Sequence, residues 1–190
     1  MKLPGILGNV SENGLENIGL AVFRGDKFVG ALDNVDTICH LIITSKLKKA
    51  AISIADPFNP NGIVDVNINM RRKGSTLFYL INSVPYIDIE VYLEASILSE
   101  SKNIDYANPS NIALLKASVE AYLKEHIDSY LYKTSREFKS DIAGFGKYAR
   151  TNYMTIPEWK ASNWLENYQN SFFNVIVHVN IENSNLYNKQ

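Results

Sequence analysis

At 190 residues, 46% hydrophobic and 21% charged, the chain suits one globular domain with a sizeable core and room for an extra arm. Its 19 basic and 20 acidic residues leave a formal charge of −1, which argues against a general electrostatic attraction to nucleic acid or to an anionic membrane. The only cysteine, Cys39, excludes an internal disulfide, and its place in the apolar segment 38–43 reads as a buried, inert thiol.

No segment is long and apolar enough to cross a bilayer, and Met1 is not followed by a basic and then apolar signal sequence. Taken literally, this describes a soluble cytosolic chain. Lys2-Leu3-Pro4-Gly5 and the polar run 8–17 nevertheless have the composition of a linker. Residues 1–18 are therefore expected to be the tail of a trimmed chain, and 19–190 a single domain.

From residue 19, two short apolar runs, 19–23 and 27–32, flank Arg24-Gly25-Asp26, and Gly25-Asp26 can supply the positive φ of a tight hairpin turn. Asp33 or Asn34 can then cap a helix running to about Lys49. Val35, Ile38, Cys39, Ile42 and Ile43 form its apolar face, with Lys46, Lys48 and Lys49 at its C-terminus. A short strand at 51–54 runs into the turn-forming Asp56-Pro57-Phe58-Asn59-Pro60-Asn61-Gly62. From Ile63 the pattern alternates strictly, Val64, Val66, Ile68 and Met70 against Asp65, Asn67 and Asn69. Arg71-Arg72-Lys73-Gly74-Ser75 is expected to turn into a strand at 76–81. A further alternating strand at 86–98 puts Ile87, Ile89, Val91, Leu93, Ala95 and Ile97 inward and Asp88, Glu90, Tyr92, Glu94 and Ser96 outward.

The longest regular stretch is 111–153. Ile112, Leu115, Val119, Tyr122, His126 and Tyr130 recur at helical spacing, and Leu123, Ile127 and Leu131 widen the apolar stripe. Asn108-Pro109-Ser110 is a suitable helix start. Gly144 and Gly146 each cost about 1 kcal/mol against Ala inside a helix, so they mark a break or a close approach of another backbone. Thr155, with Glu158 three residues on, starts a further helix carrying Trp159, Trp164, Leu165 and Tyr168. The chain then closes on a strand at 172–181. The order implies an α+β domain: an antiparallel or mixed sheet of about six strands, with three or four helices packed mainly on one face, one of them long.

Few residues offer chemistry. Asp88, Glu90 and Glu94, joined by Asp65, form an acidic strand face that could serve glycoside hydrolysis or a hard metal ion, although a solvated sheet face is acidic for solubility alone. His40, His126 and His178 stand in no zinc-ligand or protease spacing, and His126 reads as a hydrogen-bonded core histidine. There is no Gly-x-Ser-x-Gly elbow, and Gly144-Phe145-Gly146 lacks the further glycine and preceding strand of a dinucleotide fingerprint. Trp159, Trp164, Tyr168, Phe172 and Phe173 could floor a sugar or peptide groove, but they suit packing between the last helix and the last strand better. No metal or cofactor is implied, and the residues point to no enzyme.

Three stretches together resemble a known family. Leu20-Ala21-Val22-Phe23-Arg24-Gly25-Asp26-Lys27-Phe28-Val29-Gly30 is similar to the opening hairpin of the C-terminal domain of the GerAC-like lipoproteins, a family of spore germination receptor components. Lys139, Asp141, Gly144, Phe145 and Gly146 resemble that family's most distinctive segment. Trp164, then Phe172-Phe173 leading into Val175, Val177 and Val179, resembles its closing segment. The resemblance spans about 19–185 and departs at Asn183-Ser184-Asn185, where a glycine turn would be expected.

It implies the lipoprotein component of a nutrient germinant receptor in the spore inner membrane, acting with the integral-membrane A and B subunits and held by a lipid on an N-terminal cysteine. This sequence has no such cysteine near its start, so the expectation is a C-terminal piece without the anchor. Asp141, Gly144, Phe145, Gly146 and Trp164 are then family-motif positions that serve packing or docking. The expected function is a non-enzymatic interaction domain needed for nutrient-triggered germination. The alternative is a glycan-hydrolysing or small-ligand-binding domain using the acidic face and the aromatic cluster.

Overall fold

The computed structural model describes residues 6–11, 14–59, 61–100, 104 and 108–182. The chain runs through β1 (Ile6–Ser11), β2 (Gly14–Arg24), β3 (Lys27–Leu32), α1 (Asn34–Ile43), β4 (Ala50–Ala55), β5 (Ile63–Ile81), β6 (Val84–Glu100) and α2 (Pro109–Tyr132). It continues through α3 (Gly146–Ala149), α4 (Ile156–Ala161), α5 (Trp164–Gln169) and β7 (Phe172–Glu182). This is the expected α+β fold, with its strands divided between two sheets: β1-β2-β3, all antiparallel, and β4-β5-β6-β7. The second sheet is mixed, because β6 and β7 pair in parallel. The chain returns from β6 to β7 through all the later helices, the long crossover that a parallel neighbour requires. Strand pairing runs through part of the stretch read as a tail; residues 1–5 and the C-terminal Asn183-Ser184-Asn185 lie outside the described residues.

The hairpin at Gly25-Asp26 forms as expected, with Gly25 at φ +65°. Asp33 caps α1 by accepting the Asp36 amide at 2.8 Å. That helix stops at Ile43, not near Lys49. Ser45 takes a left-handed conformation, φ +54°, and the Lys46 and Leu47 amides fold back onto the Leu41 carbonyl at 2.7 and 3.1 Å. A left-handed residue with returning amides ends a helix whatever charges follow it.

The expected turn at 71–75 is likewise absent. β5 runs on through it as a 19-residue strand, its pairing with β6 interrupted by register shifts on both sides of Arg72. Gly74 approaches the partner backbone, where a Cβ would lie 2.6 Å from the Glu90 carbonyl oxygen. A basic, glycine-containing run can bulge a strand as readily as end it. The turn comes at Asn82-Ser83, both with positive φ, as a two-residue hairpin loop demands.

One face of the four-stranded sheet is buried under α1 and α2. Val64, Val66, Ile68, Ile87, Leu93, Leu115, Val119, Ile127 and Leu131 are completely shielded from solvent. The stripe on α2 is narrower than expected: Leu115, Val119, Leu123, Ile127, Tyr130 and Leu131 are buried, whereas Ile112, Tyr122 and His126 flank it half-buried. The core histidine is therefore His40, not His126. Its Nδ1 shares a 2.8 Å hydrogen bond with the hydroxyl of fully buried Tyr130. Burial and the nearby Lys46 charge push its pKa down to about 4. Cys39 is buried beside it, its thiol pushed up to about 12 chiefly by desolvation.

Candidate functional site

The long helix does not reach the motif segment. After Tyr132 the ladder widens into a π-helical turn, Lys133–Glu137, closed by the Phe138 amide on the Lys133 carbonyl. Thr134 and Ser135 drive this change. Their hydroxyls donate to the Leu131 carbonyl at 3.1 and 2.7 Å, competing with the regular ladder. Lys133 at the turn pairs with Asp36 of α1, whose hydrogen bond raises the lysine pKa.

Residues 138–145 then form an irregular loop around one carboxylate. Asp141 Oδ1 accepts the Phe145 amide at 2.8 Å, and its Oδ2 accepts both the Gly146 amide at 2.6 Å and the Trp164 indole N–H at 2.8 Å. A side chain that takes the first amides of α3 replaces the helical carbonyl partners those amides would otherwise need. This is why 111–153 is not one helix. Gly144 sits at φ +77° with open space where its Cβ would be. Gly146 is crowded: a Cβ there would lie 2.8 Å from Trp164 Nε1. Of the two glycines, only Gly146 marks a close approach; Gly144 is a conformational requirement.

Asp141, Phe145, Gly146 and Trp164 thus meet in one knot, and Gly144 shapes the loop beside it. Phe145 is buried, its ring 6.2 Å from Tyr168 and 5.8 Å from Phe173. Trp164 lies edge-on to Phe78 of β5 at 5.8 Å and tilted against Tyr168 and Trp159. The single helix expected to carry Trp159 and Trp164 is two short ones, broken at Asn163, which is left-handed at φ +45°. Thr155 and Glu158 do form the expected capping box at the start of α4.

Sequence reasoning missed the ties that anchor this knot. Ser140 Oγ donates to the Phe23 carbonyl at 3.0 Å, joining the loop to the first sheet. The Tyr168 hydroxyl, fully buried, shares a 3.0 Å hydrogen bond with Thr134. These partners are 117 and 34 residues apart, and no local pattern announces them.

The acidic residues occupy the opposite, open face of the four-stranded sheet. Asp65 accepts from Ser53 and Ser99, each at 2.6 Å, and these bonds hold its carboxyl below the usual range. Glu94 accepts from Asn69 and faces Arg71, and Glu90 accepts from the Tyr92 hydroxyl. Asp88 lies near Tyr79, whose hydroxyl pKa is raised by desolvation and by this carboxylate. Each carboxylate is committed to a cross-strand or same-strand neighbour, an arrangement that supports the sheet face rather than a matched acid and base.

The family profile described as "Spore germination B3/GerAC like, C-terminal" matches residues 18–185. The chain belongs to this family. No curated protein matches it in sequence. Among solved structures it is similar to the GerBC protein, with a TM-score of 0.76 at 18% identity over 95% of this chain, a likeness of fold. It spans 56% of the length of GerBC. Within the GerAC-like frame, the knot around Asp141 unites the three stretches on which the resemblance rests: Ser140 reaches the opening hairpin, Asp141 the indole of Trp164, and Phe145 the start of the closing strand.

Proposed function

We propose that this domain is the non-enzymatic interaction module of the lipoprotein component of a nutrient germinant receptor, required for nutrient-triggered spore germination. The observation that carries the reading is the family match over 18–185, across every packed element from β3 to β7. Its partners in this reading are the integral-membrane A and B subunits, and its place is the spore inner membrane, reached through a lipid anchor on the full-length protein. No described helix is long and apolar enough to cross a membrane itself.

A docking role is supported by an exposed apolar rim that follows the knot along the chain. After Gly144, where an added Cβ would meet nothing, come Met154, 98% exposed, and Ile156, 56% exposed at the start of α4. Large apolar side chains presented from ordered backbone are common interface anchors. The test is a Met154→Asp/Ile156→Asp double variant in the full receptor. Loss of the nutrient response with normal levels of every receptor component is expected. Unchanged germination after deletion of the whole domain would overturn the reading.

A further inference from the structure

The open sheet face carries a second feature, independent of the knot. At its centre three side chains from adjacent strands lie in register. The Arg72 guanidinium sits 3.5 Å from the centre of the Tyr92 ring, and Tyr92 stacks on His178 at 4.8 Å and 12°. The register shift between Met70 and Arg72 makes Arg71 the extra residue of a bulge, and its Nε lies 3.8 Å from Glu94 on the same face. Lys116 of α2 reaches the opening from the far side, around the β7 edge. There the Val179 amide donates to Glu120 at 2.9 Å.

These groups line an open cleft of about 570 Å³, formed by Arg71, Arg72, Tyr92, Lys116, His178 and the 179–180 backbone region. That is the size of a small-molecule site. Three permanent cations line it, and no lining residue is a carboxylate. Arg71 and Lys116 face Glu94 and Glu120 at 3.8 and 3.7 Å, beyond hydrogen-bond length, and both cationic side chains are about half exposed. Glu120 is already engaged by the Val179 amide, and Glu94 by Asn69. Among the described residues no carboxylate is ion-paired with Arg72. Arg71 and Lys116 are thus held only by long ion pairs to carboxylates with other partners, and Arg72 by the Tyr92 side chain.

We propose that this cleft binds a phosphate group. The cations approach from different directions, two from β5 and one from α2. A tetrahedral phosphate can share its oxygens among them, whereas the two coplanar oxygens of a carboxylate would saturate a single guanidinium fork. A small soluble phosphomonoester and a phospholipid headgroup both present this chemistry, and the two are separable by experiment.

The purified chain is titrated at constant ionic strength with inorganic phosphate and with glycerol phosphate, following amide chemical shifts. It is also sedimented with phosphatidylcholine vesicles with and without phosphatidylglycerol. Saturable shifts centred on Arg72, Tyr92, His178 and Val179 are expected, weakened about tenfold or more in Arg71→Gln/Arg72→Gln and in Lys116→Gln at unchanged thermal midpoint. Shifts without sedimentation assign a soluble phosphomonoester. Sedimentation with charged vesicles, competed by glycerol phosphate, assigns a headgroup. Sedimentation that glycerol phosphate does not displace, equal affinity in the variants, or no saturable shift with either probe and no sedimentation would overturn the site. None of these residues belongs to the proposed docking rim, so failure here leaves the germination reading standing.

Discussion

The two faces of the four-stranded sheet handle polar groups in opposite ways. On the covered side, polar groups are held in committed partnerships: His40 with Tyr130, Thr134 with Tyr168, Asp141 with two amides and an indole. On the open face the carboxylates are equally well bonded, yet solvent stands ready to replace any partner lost. The same direction of pKa shift therefore has different meanings. His40 is depressed mainly by burial, which disfavours its charged form; Asp65 is depressed by hydrogen bonds that favour its charged form. A partner lost on the covered side leaves a shielded group unsatisfied, and only there is the loss severe.

The largest effect that would test this contrast is pH-dependent. His40 is neutral in the folded chain down to about pH 4, while an unfolded histidine takes up a proton near 6.5. Stability is unaffected by this residue above pH 6.5 and falls as pH drops from there to about 4, by up to about 3 kcal/mol. Denaturant melts across that window should show the slope, and His40→Gln should flatten it even if the variant is weaker at pH 7. An unchanged slope would mean that the covered face tolerates charge.

Next in size is Asp141→Ala, which strands the Phe145 and Gly146 amides and the Trp164 indole; a loss of about 2–3 kcal/mol is expected. Near-UV circular dichroism should report the released tryptophan. The two glycines then separate packing from backbone conformation. Gly146→Leu, driven against Trp164, should cost about 2 kcal/mol by overpacking, whereas Gly144→Ala meets nothing and should cost about 1 kcal/mol through its left-handed φ. Equal thermal shifts for both would show that Trp164 yields freely.

The smallest effect belongs to the open face. Glu94→Gln, which touches a half-exposed Arg71 and Asn69, should change stability by no more than about 0.5 kcal/mol. Asp65→Asn should be slightly weaker than the parent at neutral pH and converge with it in acid, because the hydrogen bonds that depress Asp65 stabilise the fold above pH ~3.9 and are lost as pH falls through the lower folded value. A large loss for Glu94→Gln at neutral pH would erase the distinction between the faces.

Local sequence determined what depends on near neighbours. Alternation from Ile63 and from Tyr86 set which side chains face the core. Gly25-Asp26 made the first hairpin, and Asp33, Asn108 and Thr155 capped the helices they precede. The resemblance singled out Asp141, Gly144, Phe145, Gly146 and Trp164, four of which the fold brings together with Gly144 in the loop beside them. What those residues do was not legible. Tertiary structure decided that Arg71 to Ser75 bulges instead of turning, since only the partner strand β6 can hold that backbone extended. It likewise kept the chain from running on as one helix through 138–145, because the Asp141 carboxylate takes two amides and the Trp164 indole only once α5 is docked beside the loop. Asp141 and Trp164 are 23 residues apart. Periodicity reports which face of an element is apolar, but not which distant donor will claim a carboxylate, and that pairing turned the end of the longest regular stretch into the centre of the candidate site.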